Sequence, residues 1–389
     1  MPTVRVRLPA RSHKYEIRIG AGLLQNLGAD VLACLGAKTR RAALISDGTV
    51  FKLYGRLIID SLRGAGLTVN HFTIDPSERS KSFPSLKRTI DFLSANQLER
   101  NDVVIALGGG VVGDLAGFAA AIYLRGIEFI QVPTTLLAQI DASVGGKTGI
   151  NLTAGKNLVG AFHQPGLVLI DTDTLRTLPA RELTSGWCEA IKQGAAGSSK
   201  LFAQTVALLR ERGPDFSRGS TNREAQTEVS ATIAAHCRFK ASIVSGDERE
   251  SLSRSDHRSR RILNFGHTTA HALEAVTGYR RFRHGEAVGY GMLVAAEISK
   301  SLGMLTSGGL ESIREAVALC GPLPRADDLA SAKIAKAMAN DKKSLAGSVK
   351  WVLLERIGRA RIVDGSEIKP QVLDRALHAG LQHLPRARP

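Results

Sequence analysis

Two rhythms of apolar positions alternate along the first half of the chain. Residues 4–9 (VRVRLP) and 15–20 (YEIRIG) alternate apolar and charged side chains, the period of a half-buried strand. Short apolar runs follow at 42–46 (AALIS, ending in Asp47-Gly48), 67–74 (LTVNHFTI), 102–110 (DVVIALGGG), 127–133 (IEFIQVP) and 166–175 (GLVLIDTDTL). Between them, 84–97 reads as an amphipathic helix and 111–124 as a helix of small residues. Strands that alternate with helices predict a parallel sheet covered by helices. After about residue 178 the helical period dominates, over 180–195, 199–211, 222–246, 264–276, 284–303, 309–319 and 328–340, with one strand-rich patch at 349–363. The expected organisation is an α/β domain over 1–178 and a mainly helical domain over 179–389, divided near Leu178-Pro179. No repeat at solenoid periods is present.

Composition narrows this picture. Of 389 residues, 43% are hydrophobic and 23% charged, which excludes disorder and low complexity for the bulk of the chain. Glycine is abundant (39) while aromatics are only 5%, which suits tight turns and close backbone approaches better than an all-β sandwich. No apolar run reaches the ~18 residues of a spanning helix. The N-terminal residues lack the contiguous apolar core of a signal peptide, so a soluble cytoplasmic protein is expected. Cys34, Cys188, Cys237 and Cys320 are widely spaced without CxxC, which predicts reduced and mostly buried thiols. The net charge is +16, but the excess is scattered, and its densest stretch, RESLSRSDHRSRR (249–261), has no aromatic for base stacking. Nucleic acid is therefore disfavoured, and a small polyanionic substrate stays open.

Several local patterns carry chemistry. Gly108, Gly110 and Gly113 match GxGxxG after a buried strand and at the opening of a helix. That context lets a pyrophosphate approach the backbone at a helix N-terminus, although a Gly-rich turn alone also fits. DASVGGKTG (141–149) fails as a phosphate loop, because Asp141 stands where the first glycine is required. Lys147, Lys156 and Asn157 still place donors on Gly-rich segments read as loops. His267 and His271 lie at i and i+4, and His284 follows. Spacing alone selects His267 and His271 as a ligand pair for a divalent metal, or as hydrogen-bonded core histidines. Lys240 falls on the apolar stripe Val229–Ile233–Cys237–Val244 and needs an anion, either Asp247, Glu248 or Glu250, or a bound ligand. Glu189 and Lys192 are i,i+3 neighbours, as a surface salt bridge or as part of a metal–anion site.

The blocks GGGVVGDLAGFAAAIYLRGI, FIQVPTTLLAQIDASVGGKTGIN, GKNLVGAFHQP, TLPARELTSGWCEAIKQG, DERE, LNFGHTTAHALE and HGEAVGYGM occur in this order over roughly residues 40–345. Together they resemble the 3-dehydroquinate synthase family of the sugar phosphate cyclase superfamily. The resemblance implies an N-terminal α/β domain that binds NAD, a mostly helical C-terminal domain, an active site between them and a homodimer. It implies conversion of 3-deoxy-D-arabino-heptulosonate 7-phosphate to 3-dehydroquinate and phosphate, the second step of the shikimate pathway, with NAD and one divalent metal, Zn or Co. It puts the metal ligands on Glu189, His267 and His284, and moves His271 to the substrate side. The implied NAD residues are Asp47, Glu78, Lys81, Gly110, Val111, Val112, Gly113, Asp114, Thr134, Thr135, Lys147, Lys156, Thr174, Leu175, Arg176 and Thr177. The implied substrate residues are Asp141, Lys147, Asn157, Lys192, Lys240, Glu250, Arg260, Asn264 and His271. Arg125 is expected to reach the neighbouring subunit's site, and Lys342 or Lys343 to reach the substrate.

The stretch SLSRSDHRS (251–259) lengthens the link that the family usually keeps short, so Arg258 and Arg261 compete with Arg260. The C-terminal LPRARP reads as a solvated tail. Three other readings are weighed. Another sugar phosphate cyclase, such as a valiolone synthase, would not need the carboxylate-binding Lys240, Arg260 and Asn264. A polyol dehydrogenase of the iron-dependent alcohol dehydrogenase group does not explain the GGGVVGD block and lysine cluster. A non-catalytic basic protein does not explain a complete Glu189, His267, His284 set.

Overall fold

The computed structural model describes residues 13–153, 155–215, 223–343 and 349–382, with the side chains of 223 and 340–343 left out. The expected strand at 4–9 and the tail LPRARP lie outside the described residues, as do the side chains of Lys342 and Lys343.

Six parallel strands form the main sheet: β1 (Glu16–Gly20), β2 (Arg41–Asp47), β3 (Thr68–Ile74), β4 (Val103–Gly108), β5 (Glu128–Pro133) and, after a hairpin, β8 (Leu167–Asp171). Their order is β1-β8-β5-β4-β2-β3. Alternation along each strand divides the side chains between two cores. Ala43 and Ile45 of β2, with Val104 and Ala106 of β4, pack with helices Phe83–Ala95 and Gly110–Ile122. Ala42 and Leu44, with Val103, Ile105 and Leu107, pack with helices Leu27–Leu35 and Arg56–Gly64 on the other face. Burial on both faces is why these strands read as continuous apolar runs. The chain reverses its direction across the sheet between β2 and β4, so the carboxyl ends of those strands flank the crevice where such sheets bind ligands.

The second half is helical. Helices Ala180–Gly197, Arg223–Gly246, His267–Val276 and His284–Ser301 surround a core that also takes in Val168 and Ile170 of β8 and Leu136 and Ile140 after β5. The strand-rich patch is an antiparallel pair, β9 (Lys350–Arg356) and β10 (Arg359–Asp364). We propose that the two domains divide at Leu178-Pro179, between the last sheet strand and the first of these helices. Among the described residues, no helix is long and apolar enough to cross a membrane. All four cysteines are free, and only Cys34 is exposed.

The structure differs from the sequence expectations in four places. The segments holding Lys147, Lys156 and Asn157 are strands, not loops: β6 (Lys147–Leu152) and β7 (Gly155–Phe162) form a hairpin against helix Gly110–Ile122. Their glycines mimic turn signals and hide the strand pattern. The strand expected over 166–175 stops at Asp171, whose carboxylate accepts hydrogen bonds from Gly22, Leu24 and Asp173 N–H and starts a short 3-10 segment, Thr172–Thr177. Helices Leu27–Leu35, Arg56–Gly64 and Pro370–Gly380 have no counterpart in the expectations. The helix expected over 264–276 is broken. A 3-10 turn covers Arg260–Asn264, Gly266 takes the left-handed conformation (φ 81°), and the helix begins at His267.

That break allows two helices to meet backbone to backbone. A Cβ at Gly291 would lie 1.9 Å from the Gly266 carbonyl oxygen. Gly291→Ala is therefore expected to push helix His284–Ser301 off the Gly266 turn, at a cost of about 1–3 kcal/mol in urea unfolding; an unchanged midpoint would contradict this contact.

His236 is the buried polar centre of the helical core. One ring nitrogen is 3.0 Å from Gln193 Oε1 and the other 3.1 Å from Thr205 Oγ1. Burial lowers its pKa from 6.5 to about 4. The ring is thus neutral in the folded protein, and its contribution is complete above pH 6.5 and lost as pH falls through about 4. That loss amounts to roughly 3 kcal/mol at the acid limit. Compared with the parent, His236→Gln is expected to show a shallower fall of unfolding free energy between pH 6.5 and 4 in denaturant titrations. Identical slopes would contradict the assignment.

Candidate functional site

The crevice end of the sheet carries one group of candidate residues. β4 runs into Gly109, and helix Gly110–Ile122 starts there, so its free N–H groups face the crevice. A Cβ at Gly113 would lie 2.8 Å from Gln131 Oε1, so a larger residue would displace the end of that side chain. Ser46 Oγ donates to the Leu107 carbonyl oxygen (2.8 Å) and fastens β2 to β4. Asp47 accepts from Thr49 and Val50 N–H, both at 2.9 Å. Thr134 is buried at the end of β5 with no partner for its hydroxyl among the described residues, and Thr135 Oγ1 accepts from Ala138 N–H. Across the crevice, Thr174 donates to the Asp171 carbonyl oxygen and accepts from Gln139, while Thr177 shares a hydroxyl contact with Tyr54 at 2.6 Å. Leu175 is buried, and Arg176 lies 3.8 Å from Asp173. A helix N-terminus that opens on Gly109 and Gly110, next to the end of β5 with its buried Thr134 hydroxyl, fits a dinucleotide phosphate.

Lys81 joins the helix at this crevice to the β6–β7 hairpin. Its ammonium donates to Asp114 (2.6 Å) and to Asn157 Oδ1. Asn151 donates to Glu78 Oε1 (2.8 Å) and accepts from Asn157 N–H, holding Asn157 at φ 56°. Lys156, next in the hairpin, reaches Glu274 Oε1 at 3.0 Å and lies 3.8 Å from Glu78.

The second group converges between the helices. Glu189 and Lys192 sit one turn apart on Ala180–Gly197. Both are buried, with Lys192 Nζ 2.5 Å from Glu189 Oε2, so the surface-pair reading does not hold. His267 and His284 are each the first residue of their helix. One donor atom each from Glu189, His267 and His284 lies within 4.8 Å of the others. Glu189 Oε1 is 3.4 Å from His284 Nε2 and 3.8 Å from His267 Nε2. The pair selected by spacing alone, His267 with His271, is replaced in this grouping. His271 stays close, its ring 5.6 Å from His267 and 6.1 Å from His284, but its nitrogen is outside the convergent set.

Lys240 also differs from expectation. Its partner is not Asp247, Glu248 or Glu250 but Asp141, which it meets at both a carboxylate and the backbone carbonyl oxygen. Lys192 takes the other Asp141 oxygen at 3.0 Å. Burial alone would raise the Asp141 pKa, but the two ammonium groups hold it well below the usual carboxylate range. Burial would lower Lys192; Asp141 and Glu189 more than offset this and raise it. Lys240 ends below the ordinary lysine value, because burial and neighbouring Arg260 outweigh Asp141.

A third cluster forms the rim. Glu250, at φ 52°, accepts from Lys147 and from Asn264 (3.0 Å). Arg260 is buried and donates to the carbonyl oxygens of Glu248 (2.6 Å) and Gly145 (3.0 Å). Arg261 instead donates to the Leu252 carbonyl oxygen at the surface, and Arg258 is exposed. Burial thus distinguishes Arg260 from its two competitors. Arg125 is exposed on a left-handed turn (φ 68°).

The donor set suits a divalent cation. Among the described residues neither buried Glu189 oxygen has a well-formed hydrogen bond, and a carboxylate with two imidazoles leaves coordination positions free. Burial, Lys192 and the other two imidazoles lower His267 well below 6.5, which keeps it a ligand rather than a cation. Burial works against charge on His284 too, but Glu274 and Glu189 raise it. Glu274 is the residue that the sequence reading missed. It is 3% exposed and its pKa is held at about 2: burial opposes this, and His284 and Lys156 more than offset it. Its signal was a carboxylate two turns after His267, on the same helical face.

Comparison with known proteins agrees with this architecture. The profile described as 3-dehydroquinate synthase N-terminal matches residues 71–185, and the one described as 3-dehydroquinate synthase C-terminal matches 186–344. The 3-dehydroquinate synthase of Nitrobacter hamburgensis is 43% identical over 381 residues, covering 95% of this chain and 94% of that protein. That of Pelotomaculum thermopropionicum is 45% identical over 372 residues, covering 94% of each. Among solved structures, the 2-epi-5-epi-valiolone synthase of Streptomyces hygroscopicus with NAD+ and Zn2+ bound superposes with a TM-score of 0.83 at 26% identity, over 96% of this chain and 98% of that one. Matching profiles across both halves, and more than 40% identity over nearly the whole length, show that the chain belongs to the 3-dehydroquinate synthase family.

Proposed function

We propose that the chain is an NAD- and divalent-metal-dependent, phosphate-eliminating cyclase. Its substrate is 3-deoxy-D-arabino-heptulosonate 7-phosphate, and its products are 3-dehydroquinate and phosphate. The observation that carries this reading is the contact between the two kinds of site. The Glu189, His267, His284 cluster touches Lys192, and Lys192 shares Asp141 with Lys240. Chemistry at a hydroxyl and recognition of an anion therefore fall within one substrate's length.

The overall course is oxidation at C5, loss of the C6 proton with departure of phosphate, reduction at C5, and ring opening followed by aldol closure. NAD, when bound at the β2–β4 crevice, supplies the hydride acceptor and then the donor. A divalent ion held by Glu189, His267 and His284 supplies Lewis acidity at the substrate's hydroxyls. The remaining work belongs to side chains on hand. Asp141 keeps two buried ammonium groups in place before substrate arrives, so charge on carboxylate or leaving phosphate meets oriented cations with little reorganisation. Lys147, Asn157, Arg260, Asn264 and His271 add donors for the two anionic ends of the substrate. Glu250 holds Lys147 and Asn264 in register with each other. The family resemblance gives removal of the C6 proton to the substrate's own phosphate, and we assign no protein base.

The same reading makes the protein a cytoplasmic homodimer. Arg125 sits beside Ile122 and Leu124, which are 44% and 40% exposed, a surface that a second copy would cover. Arg125 would then reach the partner's substrate.

The test is phosphate release from the heptulosonate phosphate by the purified chain, with absorbance of NADH followed in parallel. Release that requires NAD and Zn2+, without accumulation of NADH, is expected. Accumulation of NADH without phosphate would contradict the cyclase in favour of a polyol dehydrogenase, and no release from a folded, loaded sample would overturn the substrate. Lys192→Met is expected to lower kcat/KM by about 100-fold; an unchanged value would remove Lys192 from the mechanism.

A further inference from the structure

One oxygen of the buried Glu274 carboxylate lies beside two functional groups. Its Oε1 lies 3.4 Å from His284 Nδ1 and 3.0 Å from Lys156 Nζ. On the other side of the same imidazole, His284 Nε2 faces Glu189 Oε1 at 3.4 Å. A neutral imidazole carries one N–H; with a cation among the convergent donors Nε2 must offer its lone pair, and the Glu274 carboxylate then holds the proton at Nδ1. The Nε2 lone pair then points at the convergent donors. Without Glu274, the proton could move to Nε2, the ring could turn, and the donor set would lose a member. Lys156 is itself restrained, with its ammonium 4.7 Å from the centre of the Tyr279 ring. Among the described residues, the other Glu274 oxygen is buried without a hydrogen-bond partner.

We propose that Glu274 is a positioning residue for the metal-ligand set: its carboxylate fixes the tautomer and orientation of His284 through Nδ1, and through Lys156 it ties that imidazole to the β6–β7 hairpin. The proposal rests on the reading of Glu189, His267 and His284 as a divalent-ion site. It adds a residue that makes no bond to the ion.

The test uses the full chain and three variants. Zn2+ affinity is measured by competition with a chromophoric chelator, and the visible spectrum is recorded after loading with Co2+. The parent should bind one equivalent of Zn2+. Glu274→Met, which keeps the volume but removes the acceptor, should bind about 10–100-fold more weakly and change the Co2+ bands. Glu274→Gln, whose amide oxygen still accepts from Nδ1–H, should recover most of that affinity. If Glu274→Met does not fold, Glu274→Asp, which withdraws the carboxylate by one methylene, carries the same test. A folded Glu274→Met variant with the parent's affinity and an unchanged Co2+ spectrum would overturn the role of Glu274 while leaving the ion site intact. A folded parent that binds no Zn2+ would overturn the ion site and this proposal with it.

Discussion

A carboxylate buried inside a protein with neither oxygen properly hydrogen-bonded is a costly arrangement, and among the described residues Glu189 is in that position. The structure around it supplies compensation. Lys192 approaches from the same helix, and His267 and His284 come from the first turns of two others. The close contact of Gly266 with Gly291 brings those two helix starts together. The three helices that meet here each bury an apolar face in the core and bring a polar group to the site: two by their first residue, one from its middle. A cation completes what the protein groups leave undone.

The compensation extends outward as alternating charge. Lys240 and Lys192 flank Asp141; Lys192 and His284 flank Glu189; His284 and Lys156 flank Glu274; and Lys156 approaches Glu78. This series begins in the helical half and ends beside the nucleotide crevice. It passes through the β6–β7 hairpin, which carries Lys147, Lys156 and Asn157. Buried charges in such a series are oriented by their neighbours before any ligand arrives, and preorganisation of this kind stabilises developing negative charge. Removing one member leaves the next uncompensated, so the set responds as a unit rather than residue by residue.

Much of this was legible in the sequence, and the misses share a cause. Buried parallel strands announce themselves as apolar runs, and β2, β4, β5 and β8 lie where those runs are. Lys240 showed itself as a charge on an apolar stripe. Its partner did not, because Asp141 is 99 residues away, on a segment whose only visible feature was a failed phosphate loop. Spacing favoured His271 over His284 because periodicity sees neighbours on one helix; ligands drawn from three helices follow from tertiary packing. The left-handed Gly266 broke a helix that the hydrophobic pattern ran through, and three glycines within the hairpin, Gly149, Gly155 and Gly160, with Gly145 and Gly146 just before it, disguised its strands. Glu274 was invisible for another reason: an acid on a helix face is usually solvated, and only the packed structure shows that this one is buried.

The central claim is that Glu189, His267 and His284 meet around one divalent ion, and anomalous diffraction tests it most directly. Crystals grown with Zn2+ would be measured on both sides of the zinc absorption edge. The account predicts one strong anomalous peak about 2.0–2.2 Å from a Glu189 oxygen, His267 Nε2 and His284 Nε2. A peak bridging His267 and His271, or no peak near Glu189 in fully zinc-loaded crystals, would contradict it.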